Sequence, residues 1–249
     1  MFSALLITLR EGLEAALVVG IVLAIIRQTG LGVRTRQVWW GVGAAIVASL
    51  VVGAALTLTG RELQGTAEAI FEGAAALLAV GVLTWMIFWM RRQAATEAGE
   101  LRLKTSAALA GGGAALFWIA FVAVGREGVE TALFLFAANS TARPLATLAG
   151  ATIGLVLAAG LGVAIYRGTS RLNLRTFFTV SSVLLIGFAA YLLTISLHEL
   201  GEILGSELLE EGGLVAGALY AITALWLFMR PPTWLQPRSL DATAAPTAA

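Results

Sequence analysis

Residues 9–20 read LREGLEAALVVG, and residues 125–136 read GREGVETALFLF. The five-residue word Arg-Glu-Gly-x-Glu thus occupies Arg10 to Glu14 and returns at Arg126 to Glu130, 116 positions later. Each copy sets three charged side chains inside an apolar run. On a helix, residues three or four apart share a face. Glu11 and Glu14 can therefore point at one object, as can Glu127 and Glu130. Arg10 can reach Glu14 one turn on, and Arg126 can reach Glu130. Gly12 and Gly128 leave no side chain between the carboxylates and let another helix approach.

The surroundings of the two words are built for lipid. Of 249 residues, 59% are hydrophobic and only 12% charged, with a mean hydropathy of +0.88. Soluble domains carry about 25% charged residues. There is no Cys, which excludes disulfides and thiolate metal sites. The first apolar stretch lacks a basic leader and a small-residue cleavage site, and reads as a retained helix. A span needs about 20 mostly apolar residues. Seven segments meet that need, at about 2–26, 39–59, 69–90, 113–137, 145–166, 177–197 and 213–229. The small-residue, Pro-containing tail 231–249 reads as disordered.

Basic residues predict the orientation. Arg27, Arg34 and Arg36, then Arg91, Arg92, Arg102 and Lys104, then Arg167, Arg171 and Arg175, and finally Arg230 and Arg238 all fall on one side. Only Arg61 and Arg143 fall on the other. The expected fold is an all-α polytopic membrane protein with its N-terminus outside and its C-terminus cytoplasmic. Segments one to three (about 1–92) and four to six (about 113–198) form two sets. An odd number of spans inverts the second set, as in many secondary transporters. Segment seven stands outside the repeat. Beyond the charged word, only Ala16 and Leu17 match Ala132 and Leu133; segments two and five, or three and six, show no evident correspondence.

Both charged words fall near the expected midplane. A charge there costs roughly 2.5–3.5 kcal/mol on insertion scales. Six unpaired would cost on the order of 15–20 kcal/mol, more than the net stability of about 5–15 kcal/mol typical of a fold. Four carboxylates against two Arg leave a surplus that a multivalent cation would neutralise. A bare ion-pair lock between the helices needs neither the repetition nor the surplus.

Further acidic groups lie on the expected outer side. Glu68 and Glu72 sit at the outer start of segment three, and His198, Glu199 and Glu202 follow segment six. They read as entry or recruiting sites, or more plainly as polar helix ends favoured by the helix dipole. Trp39, Trp40, Trp85, Trp89, Trp226 and Trp234 read as an interfacial belt. Gly150, Gly154 and Gly160 read as packing faces. A di-iron carboxylate enzyme needs two Glu-x-x-His pairs; the one His has Ile195 three residues before it.

The doubled word resembles the paired R-E-G-x-E motifs of the oxidase-dependent iron permeases, comprising the bacterial EfeU-type and fungal high-affinity proteins within the wider iron/lead transporters. Glu68-Ala69-Ile70-Phe71-Glu72-Gly73, LTWMIFWMRR at 83–92, RLNLRTFF at 171–178 and His198-Glu199 carry the likeness further. The connection at about 198–212 is short for the family. The resemblance implies uptake of iron, delivered as Fe(III) by an extracytoplasmic oxidase or binding component. It implies a multi-pass protein of the bacterial inner membrane, and a transporter rather than an enzyme. Glu11, Glu14, Glu127 and Glu130 would hold the ion, with Arg10 and Arg126 balancing charge and no permanent cofactor. Ligand chemistry by itself also admits Mn or Pb as cargo. Nucleic acid is not an expected partner, and a homo-oligomer is compatible with the sequence.

Overall fold

A computed structural model describes residues 1–28, 35–93, 103–105, 107, 113–139, 144–167 and 173–230. Seven long helices account for nearly all of them: α1 (Phe2–Gln28), α2 (Thr35–Glu62), α3 (Thr66–Gln93), α4 (Gly113–Asn139), α5 (Pro144–Tyr166), α6 (Leu174–Leu204) and α7 (Glu207–Met229). The described residues contain no strand. Five helices, α2, α3, α5, α6 and α7, are long and apolar enough to cross a membrane. The two that fall short are α1 and α4, each carrying its Arg and two Glu mid-helix. The expected tail lies outside the described residues, as do Arg34, Arg102, Arg143, Arg171 and Arg238.

The helices run a few residues past the expected segments because their polar ends stay helical. The largest change is at α6. His198, Glu199 and Glu202 lie within its last turns, and the loop expected over about 198–212 is only Gly205 and Ser206. Gly205 adopts φ 62°, where a side chain would be strained. Its N–H donates to Glu202 O, and that of Ser206 donates to Gly201 O at 2.9 Å, closing the helix end. At the other end, Asn173 accepts from the Thr176 N–H at 3.2 Å. Pro144 opens α5, where a missing N–H costs nothing.

Packing follows small residues. On α5, Gly150, Gly154, Ala158 and Gly162 recur every fourth position and face α1. A methyl on Gly154 would meet the Leu5 carbonyl oxygen at 2.6 Å, and one on Gly162 would meet Ala16 Cβ at 2.5 Å. On α2, Gly41, Ala45, Ser49 and Gly53 form the same ladder against α4. Gly12 sits on the third rung of one ladder, with Ala158 Cβ 2.8 Å from where its methyl would be. Gly128 sits on the third rung of the other, against Ser49. Ala16 and Ala132 take the fourth rungs. Exchanging α1 with α4 and α2 with α5 therefore preserves the principal packing. Segments two and five do correspond, through small-residue spacing rather than sequence identity. The packing face on α5 uses Gly162; Gly160 faces open space.

Two apolar clusters bracket the charged words. One joins Ile7 of α1 and Phe134 and Ala137 of α4 to α3, α6 and α7, through Leu83, Ile186 and Phe228 among others. The second joins Val22 and Ile26 of α1 to Val38 of α2 and Leu116 and Ala120 of α4. Helix α1 leaves the first cluster and enters the second, whereas α4 does the reverse. The two helices thus run in opposite directions, with their charges level between greasy layers.

Candidate metal centre

Arg10, Glu11 and Glu14 of α1 and Glu127 and Glu130 of α4 are all buried. On α1 the spacing works as expected: Arg10 Nε donates to Glu14 Oε1 at 3.1 Å. On α4 the bond shifts to the adjacent residue. Arg126 Nε and Nη2 both donate to Glu127 Oε1, at 3.0 and 2.5 Å, while Glu130 Oε1 lies 3.6 Å from Arg126 Nε. Arg10 is wholly buried, whereas the Arg126 side chain is 39% exposed.

Glu11, Glu14 and Glu127 each bring a carboxylate oxygen to one place, all within 4.8 Å of one another. Three of the four motif carboxylates therefore converge. Glu130, three residues further along α4, stands outside that group of three. Both Glu11 oxygens, Glu127 Oε2, Glu130 Oε2 and Arg10 Nη1 have no hydrogen-bond partner among the described residues. Leaving a buried polar group unsatisfied costs about 1–3 kcal/mol, more when charged. A hard cation between the oxygens would compensate several at once, and oxygen donors suit such ions.

The glycines of the motif permit close helix approach as expected, Gly12 to α5 and Gly128 to α2. Their absent side chains seat the back of each motif helix, which turns the carboxylates toward the α1–α4 interface.

The outer candidates form a separate group. Glu68 is exposed and Glu72 half-buried near the start of α3; His198 and Glu202 are exposed and Glu199 half-buried near the end of α6. A methyl on Gly73 would lie 3.3 Å from Leu200 Cγ, so these two helix ends abut. The Glu72 carboxyl feels Glu199 and Glu68, and Glu199 feels His198 and Glu202. Phe71 packs edge-on against Phe136 at 5.6 Å, setting the group beside the C-terminal end of α4. None of the five joins the buried triad.

Two contacts of the motif arginines have no counterpart in the sequence reading. The Arg126 guanidinium carbon lies 5.0 Å from the centre of the Trp89 ring. Arg10 Nη2 donates to Met90 Sδ at 3.1 Å. Trp39, Trp40, Trp85 and Trp226 are exposed, as a belt requires, but Trp89 is half-buried and faces a cation. Trp234 lies outside the described residues.

Known proteins are similar to this chain in sequence. A protein of Archaeoglobus fulgidus named only as uncharacterized is 40% identical over 83% of this chain and 73% of its own length. A protein of Escherichia coli named ferrous iron permease EfeU is 38% identical over 76% of this chain and 70% of its own length. The Yersinia pestis protein of the same name is 38% identical over 76% and 68% respectively. No solved structure matches. The Iron permease FTR1 family matches residues 1–230, a range that takes in all seven helices and both charged words. With nearly the whole chain matched, this membrane protein belongs to the FTR1 family of iron permeases and is a transporter, not an enzyme.

Proposed function

We propose that the chain imports iron through seven membrane spans, with its N-terminus outside and the triad Glu11, Glu14 and Glu127 as the ion's station within the bilayer. The observation that carries this reading is the convergence of three buried carboxylates from two oppositely running helices. Although α1 and α4 exceed the charge tolerated in a free span, their charges are turned inward and partly paired. The exchange of packing partners between the two sets of helices supports an inverted repeat. Apolar clusters lie on both sides of the triad, so the ion can leave only if one of them parts. Rocking of the two sets about the α1–α4 contact supplies that motion.

The cargo in the buried station is Fe(III), the harder of the two common ions and the better match for carboxylates. The relatives' names say ferrous iron; iron offered as Fe(II) and oxidised by an extracytoplasmic partner before entry reconciles the two. Glu68, Glu72, His198, Glu199 and Glu202 gather the ion at the outer mouth. Arg10 and Arg126 offset carboxylate charge and so keep binding weak enough for release.

The test is uptake of radiolabelled iron into sealed vesicles, offered as Fe(II) and Fe(III), with and without an oxidase, against Mn and Pb as competitors. Saturable iron uptake abolished by Glu14→Ala or Glu127→Ala, with the protein inserted, supports the assignment. Normal uptake in both variants overturns it. Transport of Fe(II) without any oxidant overturns the Fe(III) step alone.

A further inference from the structure

Helix α3 carries no part of the charged word, yet two successive residues near its C-terminal end touch the motif arginines, one each. Its register is fixed elsewhere: Ala76, Ala79, Val80, Leu83, Met86 and Ile87 are locked in the larger apolar cluster with α6. That packing holds the other face of its last turn against α1 and α4. Met90 accepts from Arg10 at 3.1 Å. Trp89 faces the Arg126 guanidinium at 5.0 Å, inside the roughly 6 Å range of a cation–π contact. Trp85 stacks on Trp89 at 5.6 Å with the rings 23° apart, which steadies the ring beneath the cation.

We infer that Trp89 and Met90 are positioning residues for permeation: through the two arginines they fix how much positive charge rests on the ion-binding carboxylates. The inference rests on the permease reading above. Arg126 is the sensitive member. It is 39% exposed, so its two bonds to Glu127 compete with water unless the guanidinium is held. The Trp89 face holds it through the flat of the guanidinium, a contact that uses none of its N–H groups. Without that ring, Arg126 turns outward and Glu127 regains its full charge. The ion is then bound more tightly and leaves more slowly. Arg10 needs less help, being fully buried and bonded to Glu14. The thioether of Met90, a weak acceptor, accepts from its Nη2.

The experiment measures concentration-dependent uptake of radiolabelled Fe(II) and Fe(III) in proteoliposomes. Trp89→Leu should lower KM and kcat together, each by about threefold to tenfold, the range of one partly desolvated cation–π contact. Trp89→Phe, which keeps an aromatic face, should return both constants to within about twofold of wild type. In an Arg126→Gln background, Trp89→Leu should change nothing further. A merely structural role for Trp89 predicts lower kcat at unchanged or higher KM, and no rescue by Phe; either result overturns the inference and leaves the permease reading standing. If Trp89→Leu fails to insert, Trp89→Met, which keeps a large apolar side chain and removes the ring, decides: both constants falling supports the inference, and unchanged constants overturn it. No saturable uptake by the wild type overturns the permease reading and this inference with it.

Discussion

The two copies of Arg-Glu-Gly-x-Glu share a sequence but not an environment. On α1, Arg10 is sealed from solvent and spans one turn to Glu14. On α4, Arg126 is partly open and turns to its immediate neighbour Glu127. Both α1 glutamates join the triad, whereas only one from α4 does. A doubled motif thus gives one rigid half and one adjustable half. The difference lies in what packs around each copy, above all in α3, which offers Met90 to one arginine and Trp89 to the other.

The comparison can be broken most decisively at the ligands. Glu11→Gln should abolish saturable iron uptake, whereas Glu130→Gln should lower it by about tenfold to a hundredfold, as for a group adjoining a ligand set. Equal losses in the two variants would place Glu130 in the triad after all. Next come the arginines. Removing one partner of a buried ion pair costs about 3–5 kcal/mol, so Arg10→Met should markedly lower the thermal unfolding temperature of the purified protein. Arg126→Met, at a part-exposed pair, should cost about 1 kcal/mol or less. Similar unfolding temperatures would remove the distinction between a rigid and an adjustable half.

The glycines should behave alike where the arginines differ. Gly12→Ala overpacks against Ala158, and Gly128→Ala against Ser49, each at about 1–3 kcal/mol. Ala158→Gly should relieve the first and Ser49→Gly the second, read as recovered unfolding temperature. Relief by the wrong partner would show that the ladders are mispaired. The smallest effect belongs to Gly160→Ala, which meets open space; better helix propensity should leave stability unchanged or raised by up to about 1 kcal/mol.

Much of this was legible in the chain. Helix positions followed from apolar runs, and the pairing of α1 with α4 followed from the repeated word. The i, i+4 geometry foretold Arg10 with Glu14. For Arg126 it foretold the ion pair with Glu130 at 3.6 Å but not the shorter bonds to the adjacent Glu127. The ladders on α2 and α5 were present as four-residue spacing, but identity between the segments is low, and small residues there are easily taken for generic membrane packing. Which helix each motif glycine touches could not be read at all. A glycine permits approach without naming the neighbour, and that choice is made by the whole bundle. Trp89 was read from composition and depth, two properties it shares with the exposed Trp85 four residues before it.

The exchange of ladders has a consequence for biosynthesis. Helix α1 ends at Gln28, but α5, which its back face needs, begins only at Pro144. At about 5–20 residues per second, translation separates them by on the order of ten seconds. Through most of that interval, until Glu127 is made, the nascent α1 carries Arg10, Glu11 and Glu14 with neither its ladder nor its opposing carboxylate. On the seven-span reading, its final seat in the lipid is settled late, by helices from the far half of the chain. Slowing synthesis of α5 should therefore harm the first helix more than the second.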